Sequence, residues 1–182
     1  MEIRVATDVS IAPTTDDTAR EIPTVIRAES TSPLWRLWQA TEKLPFGHHV
    51  ASQALRFAAP YFRTIPATIE HVEPGRATSR MRHWPWVRNH LGTVHAISLC
   101  NLAELTTGAV IEATLPPSHR WVPKGMSVEY VALARGTMHA VATVDLPADL
   151  DRVGVPVEIE VTDDEGTVVF TATIDLWVTP RK

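Results

Sequence analysis

The sequence predicts an α+β fold in which an antiparallel sheet of about six strands wraps around one long central helix, with extra helices on the N-terminal side. Three observations predict it. Helical spacing dominates residues 31–62, and a period of two dominates 67–84 and 121–180. Between them, Leu91–Ile111 is apolar nearly all round and carries one formally charged side chain, Glu104. A helix of that kind must be covered on more than one side. A sheet with one apolar face must bury it, so wrapping the sheet around the helix satisfies both demands.

Residues 1–30 are rich in Thr, Asp, Ala and Pro without a sustained period, and read as a mobile or loosely docked arm. Residues 31–182 suit a single domain with a sizeable core. In "SPLWRLWQATEKL" (32–44), Leu34, Trp35, Leu37, Trp38 and Leu44 fall near helical spacing, and Pro33 suits a first turn. Pro45-Phe46-Gly47 breaks that helix. "HHVASQALRFAAPYF" (48–62) is a second helix with Val50, Ala54, Leu55 and Phe57 as its stripe, stopped by Pro60. Residues 67–84 hold two strands around the turn Glu73-Pro74-Gly75-Arg76. The central helix is placed at 92–114, with Gly92 and Thr93 at its start, Thr93 as N-cap, and Pro116-Pro117 as its terminator. Four strands follow at 121–134, 137–147, 155–164 and 167–180, with turns at Arg135-Gly136, 148–154 and Asp164-Glu165-Gly166. Val157, Ile159 and Val161 alternate with polar and charged residues, as in a sheet with one solvated face.

Composition excludes several classes. Net charge is −4 and no long Lys/Arg block reads as a nucleic-acid arm. Cys100 is the single cysteine, so no intrachain disulfide forms and a reducing, cytoplasmic setting is expected. Residues 1–20 lack the basic start and apolar run of a signal peptide. Leu91–Ile111 comes closest to a membrane span, but Glu104, His95 and Asn101 would be costly in lipid. The histidines show no zinc-type spacing, so no metal is expected. Cys100, mid-helix and apart from His95, is expected to be buried and inert.

The stretch "NHLGTVHAISLCNLAE" resembles the signature of the hotdog-fold thioesterases, including the phenylacetate-pathway type. That signature runs Asn, then Gly-Thr-x-His-Gly-Gly, then an acid nine residues after the His. Asn89, Gly92, Thr93, His95 and Glu104 keep the spacing. "EYVALARG" (129–136) resembles the family's next strand through Tyr130, Ala134, Arg135 and Gly136, with Leu133 where Pro is usual. "APYF" and "EPGRATSRM" are similar to a bacterial hotdog branch of unassigned function. The resemblance covers residues 45–180. This chain departs from it in having Ala96 and Ile97 for the Gly pair, and Glu rather than the commoner Asp.

Helix geometry makes its own demand. Nine residues turn a helix by about 900°, half a turn net, and advance it by about 13.5 Å. His95 and Glu104 therefore cannot share a site within one subunit, but can do so across a dimer whose central helices run antiparallel, which is the arrangement the resemblance implies. The resemblance further implies an acyl-thioester hydrolase acting on acyl-CoA or an acyl-carrier thioester. In it the Ala96 N–H serves as oxyanion donor and Asn89 polarises the carbonyl or holds water. His95 contacts the thioester or orients its loop, and Glu104 is general base or nucleophile. Gly92, Thr93 and Ile97 line the substrate, and Arg135 reaches the coenzyme A phosphates. The expected assembly is a homodimer or a tetramer of such dimers, and the expected cofactor is none beyond the substrate's own coenzyme A. Plainer readings stay open: Glu104 bonded to Thr107 or to a strand, Asn89 making a local turn bond, Arg135 a solvated charge. So do two other functions. One is a non-catalytic acyl-binding module, favoured by Ala96-Ile97; the other is a hydratase or dehydratase of hydroxyacyl thioesters.

Overall fold

A computed structural model describes Ser30 and residues 32–181. Helices α1 (Pro33–Thr41) and α2 (Gly47–Ala58) come first. Ser32 caps α1 by accepting from the Trp35 N–H, with Pro33 in the first turn where its missing N–H is harmless. Strands β1 (Ala67–Glu73) and β2 (Arg76–Met81) follow, then the central helix α3 (Ala96–Thr114). Strands β3 (His119–Tyr130), β4 (Met138–Thr143), β5 (Val153–Thr162) and β6 (Val168–Pro180) complete the chain. All six strands form one antiparallel sheet in the order β1-β2-β4-β5-β6-β3.

The sheet wraps α3 as the pattern predicts. Along β5, Val155, Val157, Ile159 and Val161 are buried while Pro156, Glu158 and Glu160 are exposed. The inward rows of β2, β4, β5 and β6 meet Leu102, Leu105, Val110 and Ile111 in one core. Polar bonds fix the helix's height in this wrap. Ser79 on β2 pairs with Thr106, and the Gly75 N–H in the β1–β2 turn donates to Thr114 Oγ1 at 2.9 Å. At the other flank, Ser30 and Ser32 both donate to the Glu112 carbonyl. The expected arm otherwise lies outside the described residues.

Three expectations need correction. The central helix starts at Ala96, not at Gly92, and His95 rather than Thr93 is its N-cap. Gly92 has φ +75°, which no right-handed helix contains, and Thr93 is buried with its hydroxyl turned to Asn89. The strand placed at 121–134 ends at Tyr130, because β3 and β4 are not neighbours. Arg135-Gly136 therefore lies in a connection running from one side of the sheet to the middle of it, not in a hairpin turn. Finally, Cys100 is half-buried rather than fully enclosed.

The two sheet edges are treated differently. At β1, Ser52 of α2 accepts from the Ile69 N–H at 2.9 Å and reaches its carbonyl, so α2 covers an edge whose backbone groups are buried. At β3 the 12-residue strand is exposed almost throughout, with Val122, Met126 and Tyr130 open to solvent. An uncovered edge of this length is a template for pairing with another chain. Replacing Ser52 by Ala strips the buried Ile69 backbone of its partner. Urea unfolding is expected to show a loss of about 1–3 kcal/mol; an unchanged midpoint would mean that α2 does not guard this edge.

Candidate functional site

The start of α3 is built by a loop that the Asn89 side chain organises. Asn89 Oδ1 accepts from the Leu91 and Thr93 N–H groups at 2.9 and 3.2 Å, and Asn89 Nδ2 donates to Thr93 Oγ1 at 2.8 Å. This is the local turn bonding typical of Asn. Gly92 supplies the left-handed residue the turn needs. Two backbone bonds dock the loop. The His95 N–H donates to the Val87 carbonyl at 2.7 Å, and the Val94 N–H to the Ala134 carbonyl at 2.9 Å. The second bond carries Arg135 to the helix start. Asp164 holds Arg135's loop from below by accepting from the Thr137 N–H at 2.8 Å and bonding His139 at 3.2 Å. The Thr137 N–H, more than His139, keeps the Asp164 carboxyl below its ordinary value.

At the helix end the Ile97 N–H donates to His95 Nδ1 at 3.1 Å, and the Ser98 N–H to the His95 carbonyl. With Nδ1 accepting, Nε2 is the ring nitrogen left to donate, on an exposed side chain. The Ala96 N–H has no acceptor among the described residues. It sits at the positive end of a 19-residue helix. Arg135 and Arg88 stand close enough to His83 that, after burial, their charges hold its imidazole below the ordinary value.

Glu104 lies elsewhere. From Leu99 to Ile111 helix α3 is buried all round except at Cys100 and Glu104, which share one face with Ile97, itself 54% exposed in the first turn. Strand β3 is tethered over this face at two points. Tyr130 Oη lies 3.5 Å from Cys100 Sγ, and Trp121 Nε1 donates to Glu112 Oε1 at 2.9 Å. The Cys100 contact pushes the Tyr130 hydroxyl up to about 12, so it stays a neutral donor. Between the tethers, along the ladder 100, 104, 108, 112, stand Glu104 and Gly108. Glu104 has no hydrogen bond or ion pair among the described residues, and Thr107 Oγ1 is buried without a partner, so the Glu104–Thr107 bond is not made. Open space surrounds the position a Cβ on Gly108 would take.

The structure thus gathers Asn89, Gly92, Thr93, His95, Ala96 and Arg135 at one end of α3, adds Ile97 at the foot of the open stripe, and leaves Glu104 about 13.5 Å up the helix from His95. Sequence reasoning missed Tyr130 as a wall of the stripe and Gly108 as its gap. The i+4 ladder from Cys100 through Glu104 and Gly108 to Glu112 was the signal for Gly108; Tyr130 comes from β3, 30 residues from Cys100, and no spacing within the helix points to it.

Two outcomes follow from the helix start and its supporting loop. His95→Ala removes the cap and is expected to lower stability by about 1 kcal/mol in urea, while His95→Asn, which can cap, restores it. Equal stability of the three proteins would deny the capping role. Because the Asp164 pKa is depressed, its support of the Thr137 N–H is complete above the ordinary carboxylate value of about 3.9. That support is lost only as pH falls through the lower folded value. In a His139→Gln variant, which removes the imidazole that shares this carboxylate, the Thr137 amide resonance should hold its position from pH 7 to about 4; movement near neutrality would contradict the assignment.

The comparisons with known proteins agree with this fold. The family described as a domain of unknown function, DUF4442, matches residues 47–178. The crystal structure of the structural-genomics target APC5556 is 34% identical, covers 81% of this chain and 99% of its own, and superposes with a TM-score of 0.71. PA5026 of Pseudomonas aeruginosa, a protein of unknown function and probable thioesterase, is 22% identical over 76% of this chain and 97% of its own, with a TM-score of 0.65. A thioesterase family protein from Silicibacter pomeroyi is 16% identical over 71% of this chain and 96% of its own, with a TM-score of 0.62. No curated protein matches. The six-stranded sheet around α3 is the hotdog fold of these neighbours, and the chain belongs to the DUF4442 family.

Proposed function

We propose that this protein is an acyl-thioester hydrolase that acts on acyl-CoA at the interface of a homodimer. One observation carries the reading. Glu104 stands unpartnered on the open stripe of a mostly enclosed helix, beside the gap at Gly108, while the free donors lie about 13.5 Å down the helix at the Ala96 N–H and His95 Nε2. A carboxylate on an apolar face is costly unless something meets it. The open β3 edge supplies the means, since pairing β3 of two copies brings a second α3, running the other way, against the first. The helix start of one subunit then faces Glu104 of its partner. The similarity in fold to thioesterase family proteins supports this choice of chemistry.

In this site the thioester carbonyl oxygen accepts from the Ala96 N–H and His95 Nε2–H, which hold the negative charge of the tetrahedral intermediate. Glu104 takes a proton from water as its oxygen attacks the carbonyl carbon. Collapse of the intermediate breaks the C–S bond, and the thiolate recovers the proton. Asn89, whose oxygen is spent on its own loop, acts as a positioning residue, with one amide N–H left over for water or carbonyl.

One feature favours a second reading. Ile97 projects at the foot of the stripe, where it narrows the approach to the Ala96 N–H, as a binding-only module would have it. A single experiment decides between them: thiol release from short, medium, long and aryl acyl-CoA, with oligomeric state followed by analytical ultracentrifugation. A dimer whose release falls by about 10²–10⁴-fold in Glu104→Gln is expected. Release unchanged in the variant, or a monomeric active protein, would overturn the site; a dimer that binds but releases nothing would select the binding module.

A further inference from the structure

A cavity of about 240 Å³ lies between α2 with the turn after it and the outer side of β1 and β2. It is lined by Arg56, Arg63, Arg80 and Arg82, with Trp84 and Trp86 at one wall, and no Asp or Glu lines it. That is a notable concentration of cation on a chain of net charge −4. Glu70 bonds Arg80 Nε at 2.9 Å from outside the cavity, whereas Arg56, Arg63 and Arg82 have no carboxylate partner among the described residues. Arg56 Nε is buried with no hydrogen-bond acceptor among the described residues, its Nη2 reaching the Arg63 carbonyl at 3.4 Å. A buried guanidinium N–H without an acceptor is costly, and anionic oxygens are the acceptors that guanidinium forks fit best. His49 at the same cavity is held below its ordinary value by burial, then by His48, Arg80 and Arg82, which marks a positive local field.

The wall defines the rest of the ligand. Trp84 and Trp86 stand edge-to-face at 4.5 Å, and both are exposed, Trp86 at 62%. Indole faces beside guanidinium groups suit a nucleobase next to its phosphates. The volume is below the about 300 Å³ at which pockets for whole drug-sized ligands begin. It therefore fits one or two phosphate groups, with the base outside on the indoles.

We propose that this cavity binds the phosphate groups of a nucleotide whose base packs on Trp84 and Trp86. The phosphorylated adenosine of coenzyme A is the nucleotide that the proposed function supplies, and that identification alone rests on the thioesterase reading. A free nucleoside diphosphate has the same chemistry. The cavity adjoins the site, since Trp86 precedes Val87, whose carbonyl accepts the His95 N–H.

The test is isothermal titration calorimetry of the full chain with pyrophosphate, ADP, adenosine 3′,5′-bisphosphate and coenzyme A. None of these needs turnover, so failure of the hydrolase reading leaves the readout intact. Arg82→Gln and Trp86→Ala change exposed side chains without side-chain hydrogen bonds, and so leave the fold in place. Adenosine 3′,5′-bisphosphate and coenzyme A are expected to bind more tightly than pyrophosphate, and Arg82→Gln to weaken them about tenfold. Trp86→Ala should weaken the nucleotides but not pyrophosphate. Lys43→Gln, the same charge change at another exposed site, should alter nothing. ADP binding as well as coenzyme A would uphold the phosphate site and assign it to free nucleotides. No binding by any of the four, or equal losses in Arg82→Gln and Lys43→Gln, would overturn it.

Discussion

The structure depends on the burial of one helix. Helix α3 has almost no polar face, so every neighbouring element must present apolar surface to it or leave it wet. A six-stranded sheet curls far enough to cover most of the circumference, and Ser79, Thr114, Ser30 and Ser32 pin the helix within that curl. What one sheet cannot reach is the stripe of Ile97, Cys100 and Glu104. The site follows from this geometry, because the uncovered stripe is the place a second molecule or a substrate can occupy without disturbing the core.

The two edges of the sheet express the same constraint. Covering β1 with α2 consumes a buried serine and leaves an arginine-lined cavity behind it. Leaving β3 open exposes apolar side chains that a solitary protein would have reason to hide. Between the two runs the segment from Trp84 to His95. One end of it walls the arginine cavity, and the other caps α3. A ligand seated on Trp86 and a carbonyl seated on the Ala96 N–H would therefore touch a single short stretch of backbone.

The order and type of the elements were legible because periodicity reports burial, and burial is what the wrap dictates. Val157, Ile159 and Val161 alternate because β5 has one wet face; Leu99 to Ile111 does not alternate because α3 has almost none. The helix start was misread for a physical reason. Thr93 looks like an N-cap, but Asn89, four residues earlier, captures the Thr93 N–H and hydroxyl in its own loop and passes the capping task to His95. A one-dimensional motif cannot rank two competing caps. The arginine cavity was illegible for another reason: Arg56 comes from α2, Arg63 from the turn after it, Arg80 from β2 and Arg82 from just beyond that strand, and only the docking of α2 on β1 brings them together.

The departure of Ala96-Ile97 from the paired glycines of the resembling signature also takes a different meaning in three dimensions. In the proposed hydrolase the oxyanion donor is a backbone group, and a methyl at Ala96 does not remove it or redirect the helix dipole behind it. Ile97 has its own N–H already engaged by His95, so its change costs the site no donor. What Ile97 adds is bulk, at the end of the stripe nearest the Ala96 N–H and remote from the gap at Gly108. The electrostatics of the helix start are therefore retained while its steric entrance is narrowed. In the proposed hydrolase a difference of this kind would act, by shape, on which acyl group reaches the Ala96 N–H, and would leave the charge stabilisation available to whichever group fits.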